Sequence, residues 1–133
     1  MADRTLELQK AVVAALKASA GVSALAGGRV YDRVPEGAGF PHVSIGDVFA
    51  NDFGAQGLEG TDAIMRIDVW SRAVGKVELR RLMAAIVAAL HEIDLTLDAG
   101  TFVLGRWAGS RDMLDPDGIT THGIVEFRFL TDG

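Results

Sequence analysis

The sequence predicts an α+β domain, a mainly antiparallel sheet with two amphipathic helices packed on one of its faces. Three observations carry this expectation. Apolar residues recur with helical period in two segments and alternate with period two in others. Proline, glycine and aspartate clusters separate these segments. Neighbouring strands joined by loops favour antiparallel pairing, and a helix with one apolar stripe must bury it on the sheet.

Residues Thr5 to Ala20 read as the first helix. Leu8, Val12, Ala15 and Leu16 form its stripe, while Gln9, Lys10 and Lys17 face elsewhere. Gly21 is placed to end it, and a short apolar stretch from Val22 to Ala26 stops at Gly27-Gly28. Val30-Tyr31 reads as a brief strand. Two prolines bracketing two glycines make Pro35 to Pro41 a loop. A strand from His42 to Phe49 follows, and Val48 breaks the parity set by Val43 and Ile45, which predicts a bulge or bend near Gly46. Ala50 to Gly60 reads as a long, polar, glycine-rich, mobile loop.

Ala63 to Arg72 is the clearest strand. Met65, Ile67 and Val69 share one face; Ile64, Arg66, Asp68, Trp70 and Arg72 share the other. From Gly75 to Ile93 the period turns helical, with Leu79, Leu82, Met83, Ile86, Leu90 and Ile93 in one stripe and Glu78 and His91 suited to the two ends of the helix dipole. Thr101 to Trp107 and Ile119 to Leu130 read as the last strands, separated by the turn sequence Asp115-Pro116-Asp117-Gly118.

The 133 residues fit one domain spanning residues 1–133. Lys and Arg number 13 against 18 Asp and Glu, a net charge of −5, which lacks the basic field of a nonspecific nucleic-acid binder. With no cysteine, disulfides, thiolate zinc sites and cysteine nucleophiles are excluded. The polar start Met1-Ala2-Asp3-Arg4 lacks the apolar stretch of a secretory signal, and no apolar run reaches the ~20 residues of a membrane span. A soluble protein used in the cytoplasm, or exported inside a larger particle, is expected.

No catalytic, cofactor-binding or metal-binding residues are assigned. His42, His91 and His122 are dispersed and fit no metal-ligand spacing. Asp112, Asp115, Asp117 and Gly118 fail the calcium-loop pattern at Met113 and Ile124, and a hairpin turn explains them better. Ser44 between His42 and Asp47 lacks a nucleophile elbow. Neither Gly27-Gly28 nor Gly37-Ala38-Gly39 matches a phosphate loop or a dinucleotide fingerprint.

Partner binding suits the chain better. Arg66, Trp70 and Arg72 put arginine and aromatic side chains, the types enriched in interface hot spots, on one strand face. Phe40 and Phe53, carried on the two long loops, complete the candidate subunit interface. The same face also reads as a solvated one with cross-strand ion pairs to Glu126 and Arg128, or with Trp70 under a covering loop.

Val30-Tyr31-Asp32-Arg33-Val34-Pro35 followed by Phe40-Pro41-His42-Val43-Ser44-Ile45-Gly46 resembles the opening of tail completion proteins from long-tailed phages. So do Val69-Trp70-Ser71-Arg72-Ala73-Val74-Gly75 ahead of a helix and Asp117-Gly118-Ile119-Thr120-Thr121-His122-Gly123 entering the last strand. The resemblance covers nearly the whole chain in order. It implies a structural virion protein and no enzyme, similar to the tail terminators and tail-to-head joining proteins of phages and gene transfer agents. It also implies a homo-oligomer, a sixfold ring around the DNA channel, with the tail tube protein and the head–neck connector or stopper protein as partners. DNA would pass through such a ring without sequence-specific binding, in a particle assembled in the bacterial cytoplasm. Lysine only at positions 10, 17 and 76, among many alanines and arginines, points to a high-GC bacterial source.

Two rival readings stand beside this one. A head–tail connector or neck adaptor shares the small size and acidic charge. A small ligand-binding or enzymatic domain would draw on His42, Asp47 and His122 and needs an apolar cavity where they converge.

Overall fold

Alternation along residues 63–72 is realised as the middle of a five-stranded sheet. The computed structural model describes residues 3–54 and 59–133. Its elements are α1 (Thr5–Ala18), α2 (Ala20–Ala26), β1 (Val30–Tyr31), β2 (His42–Asp52), β3 (Gly60–Ser71), α3 (Val77–Leu90), β4 (Thr101–Leu114) and β5 (Thr121–Asp132). The strand order is β1-β2-β3-β5-β4. β2, β3, β5 and β4 pair antiparallel, as expected, whereas β1 pairs parallel to β2 through Val30 opposite Val43 and Tyr31 opposite Ser44. The Asp32–Pro41 stretch between them is long enough to carry the chain back to the start of the sheet.

One sheet face carries Val43 and Ile45 from β2, Met65, Ile67 and Val69 from β3, and Val125, Phe127 and Phe129 from β5, all buried. The stripes of α1 (Leu8, Val12, Leu16) and α3 (Leu79, Leu82, Ile86, Leu90) close over it, all of them fully buried. Burying a Leu, Val or Phe side chain contributes roughly 1.5–3 kcal/mol, so this one layer dominates the stability of the fold. Among the described residues, the other sheet face carries no helix.

Several boundaries differ from the sequence expectation. α1 ends at Ala18 rather than near Gly21, because Ser19 leaves the helical region at ψ 122° and its hydroxyl accepts the Val22 amide at 3.2 Å. That cap starts a third helix, α2, which ends at Gly27 with φ 59°. The bulge near Gly46 is present as a register shift between Ile45 and Val48. A side chain at Gly46 would collide with the Asp68 carboxylate, which explains the glycine there. The ends of the expected Ala50–Gly60 loop are strand instead: Ala50, Asn51 and Asp52 pair with Ala63, Asp62 and Thr61. Residues 55–58, the middle of that loop, lie outside the described residues, as do Met1 and Ala2.

α3 stops at Leu90, and Glu92 at φ 55° turns the chain, leaving Ile93 exposed rather than in the stripe. β4 runs seven residues past Trp107, to Leu114, held by pairing with β5. β5 begins at Thr121, not Ile119, because the Asp117 carboxylate accepts the amides of Ile119 (2.9 Å) and Thr120 (2.8 Å) and extends the turn.

Candidate functional site

The helix-free face is where the candidate residues meet. Arg66, Asp68 and Trp70 project from it at alternate positions of β3, opposite Glu126, Ile124 and His122 of β5. Asp68 is buried and central. Its Oδ1 accepts Arg66 Nε at 3.0 Å and His122 Nε2 at 2.6 Å. Arg66 therefore turns to its neighbour two residues along the strand rather than across to Glu126. Arg128 does form a cross-strand pair, but with Asp62, through bonds of 3.0 and 2.7 Å that lower the Asp62 pKa.

The Trp70 indole stacks on the His122 imidazole with centroids 3.8 Å apart and planes 8° from parallel. On the other side Trp70 stands opposite His42 of β2. The His42 ring lies 4.7 Å from Phe40, and its Nδ1 donates to the Gly39 carbonyl at 3.0 Å. Burial, aided by Arg29 and Arg72, holds the His42 pKa below its ordinary value. The Arg72 guanidinium lies 4.3 Å above the Phe40 ring, and its Nε donates to Thr120 Oγ1 at 3.1 Å. Phe40, His42, Trp70 and His122 thus form a row of rings across one end of the sheet, with Arg72 over it.

Of the five candidate interface residues, the fold gathers Arg66, Trp70, Arg72 and Phe40. Phe53 is separate: it follows the end of β2 at the opposite end of the sheet, where its amide donates to the Gly60 carbonyl at 3.0 Å. Trp70 is half-buried and Arg72 exposed, so the face is neither sealed by a loop nor freely solvated.

The residues of the catalytic alternative do not converge. His42 is turned to Gly39, His122 to Asp68, and Trp70 stands between them. Asp47 sits exposed in the β2 bulge. Among the described residues no three His, Asp or Glu side chains are placed to hold a metal ion, and no helix is long and apolar enough to cross a membrane. Sequence reasoning missed the Asp68–His122 pair. The parity of both residues on their strands placed them on this face, but only the register makes them partners.

Fold and site define a small α+β module whose helix-free face is ionic and aromatic. The family model described as Tail completion protein gp17 matches residues 10–132, and the chain belongs to that family. The resemblance read from residues 30–46, 69–75 and 117–123 is thereby borne out. The chain is 29% identical over 90 residues to Tail completion protein gp17 of Bacillus phage SPP1. That alignment takes in 68% of this chain and 66% of the relative's length. Among solved structures, a chain of the virion of a native gene transfer agent particle superposes with a TM-score of 0.93 at 28% identity, covering 100% of both chains. The bacteriophage SPP1 gp17 protein superposes with a TM-score of 0.65 at 26% identity, covering 93% of this chain and 88% of that one. These relatives are structural tail completion and virion proteins, not enzymes.

Proposed function

We propose that this chain is a ring-forming tail subunit that caps a phage-type tail tube and joins it to the head–neck connector. The observation that carries the reading is the superposition on a gene transfer agent virion chain over the full length of both chains. Such a subunit needs contact surfaces and no active site, and the helix-free face offers Arg72, Phe40 and Trp70 at its surface. In this reading subunits meet partly through that face and surround DNA without gripping it, which suits a net charge of −5. The ring is sixfold, and its two rims contact the tail tube protein and the connector or stopper protein.

Electron microscopy of the purified protein mixed with assembled tail tubes, with mass measured alongside, tests this. Rings at one end of the tubes are expected. Free monomers that ignore the tubes would remove the terminator role and favour a connector.

A further inference from the structure

A sheet with open strand edges presents unpaired backbone amides and carbonyls, which natural proteins blunt or cover. This sheet has two such edges, at opposite sides. β1 pairs only with Val43 and Ser44, so the β2 arm from Gly46 to Asp52 has β3 on one side and no strand on the other. On the far side, β4 is last in the sheet. The segment after α3 covers part of it: the Trp107 amide donates to His91 Nδ1 at 3.0 Å, and the Glu92 amide to the Gly105 carbonyl at 2.9 Å. Beyond that cover, Ala108 to Leu114 is open along its outer edge among the described residues. Each free arm begins at a register shift, between Ile45 and Val48 in β2 and between Trp107 and Gly109 in β4. Neither arm contains proline or lysine.

The two edges are complementary in charge, with Arg106 just ahead of the free β4 arm and Arg111 within it. The β2 arm carries Asp47 and Asp52, both exposed, and no basic residue. The β4 edge carries Arg106 and Arg111, both exposed and without an ion pair among the described residues. Its one acid, Asp112, is already neutralised by Lys76 and Arg80 at 2.9 Å each. Each edge also exposes an aromatic residue, Phe49 at 66% and Trp107 at 47%. A ring closes through a heterologous contact, in which two different surfaces of one chain meet on successive copies. A basic edge and an acidic edge on opposite sides of one sheet meet that requirement.

We propose that the free part of β4 (Ala108–Leu114) in one copy pairs edge-to-edge with the free arm of β2 (Gly46–Asp52) in the next, making the sheet continuous around the ring. The occupant of each edge is a second copy of this chain, and the contact rests on the ring-subunit reading above. Main-chain hydrogen bonds supply the joint, and the Asp and Arg pairs select which edges join.

Charge reversal of one edge at a time tests it. Arg106→Glu with Arg111→Glu makes both edges acidic; Asp47→Lys with Asp52→Lys makes both basic. Each variant alone is expected to lose the oligomer formed on tail tubes, and an equal mixture of the two to regain it as rings of alternating copies. Because the chain has no cysteine, Phe49→Cys with Ala108→Cys adds a second readout. A short bis-maleimide is expected to link that double variant into a ladder beyond the dimer, with neither single variant forming one. Wild-type rings together with reversed variants that assemble equally well would overturn the edge contact and leave the ring standing. Loss of assembly without rescue in the mixture would also overturn it, by assigning the charges to tube or connector contacts. A wild-type chain that never assembles on tubes would remove the ring and this contact together.

Discussion

His122 Nε2 lies 2.6 Å from Asp68 Oδ1, and Trp70 covers the imidazole ring at 3.8 Å. The pair joins β3 to β5 on the face that no helix protects, and Arg66 closes it from the third side at 2.9 Å. A polar cluster held this tightly acts as a rivet between the two central strands, and the first prediction concerns it.

Asp68→Ala removes the acceptor shared by His122 and Arg66. Leaving a buried donor without its partner costs about 1–3 kcal/mol, so the urea midpoint is expected to fall accordingly with the m-value unchanged. An unchanged midpoint would mean that His122 and Arg66 find other acceptors.

Gly105→Ala tests packing between β4 and the core. An added Cβ would lie 2.9 Å from the rings of both Phe102 and Phe129, and Phe129 is fully buried. Overpacking of this kind costs about 1–3 kcal/mol. Gly28→Ala is the control: no heavy atom lies within 4 Å of its built Cβ. Its effect is expected within about 0.5 kcal/mol by thermal unfolding.

Asp112 is held at a pKa of about 2, first by Arg80 and then by Lys76. A depressed carboxyl pKa stabilises the fold above the unfolded value, near 3.9, and that contribution fades as pH falls toward the folded one. Asp112→Asn is therefore expected to be less stable than the wild type at pH 7. Solvent screening keeps the difference below about 1 kcal/mol. The two proteins converge as pH drops from about 4 to about 2, which paired unfolding curves at pH 7 and pH 2 would register. A gap that persisted at pH 2 would assign the effect to packing instead of charge.

Arg72→Glu separates stability from assembly on the helix-free face. Losing the guanidinium over Phe40 costs roughly 0.5–1 kcal/mol, a small shift in unfolding. If subunits meet through this face, assembly on tail tubes is expected to weaken far more than stability does. Arg66→Glu combined with it should weaken both, since a second carboxylate then sits beside Asp68. Undisturbed assembly of both variants would remove this face from the subunit contact.

The sequence was most legible where one face of an element is buried. Met65, Ile67 and Val69 announced β3 and its buried face, and the parity break at Val48 announced the bulge. It was least legible at the edges. The β4 extension from Ala108 to Leu114 has no fully buried residue, so no alternation marks it, and it is a strand because β5 pairs with it. The same holds for Ala50 to Asp52, where polar residues hide a strand behind a loop-like composition. On the candidate face, parity identified which residues share a side. The partners of Arg66 and Arg128 could not be read, because a long arginine reaches several neighbours and only the folded geometry selects Asp68 and Asp62. Phe53 was grouped with Phe40 because both sit in glycine-rich stretches, although the sheet puts its full length between them.

β5 is hydrogen-bonded on both sides along its length, to β3 through residues 121–132 and to β4 through the same span. Its amides are released to solvent only when the central sheet parts, so deuterium reaches them at the rate of global unfolding. The free arms of β2 and β4, each with one neighbouring strand, exchange earlier. The subunit therefore carries its most exchange-resistant strand away from both open edges, and its most labile segments along them.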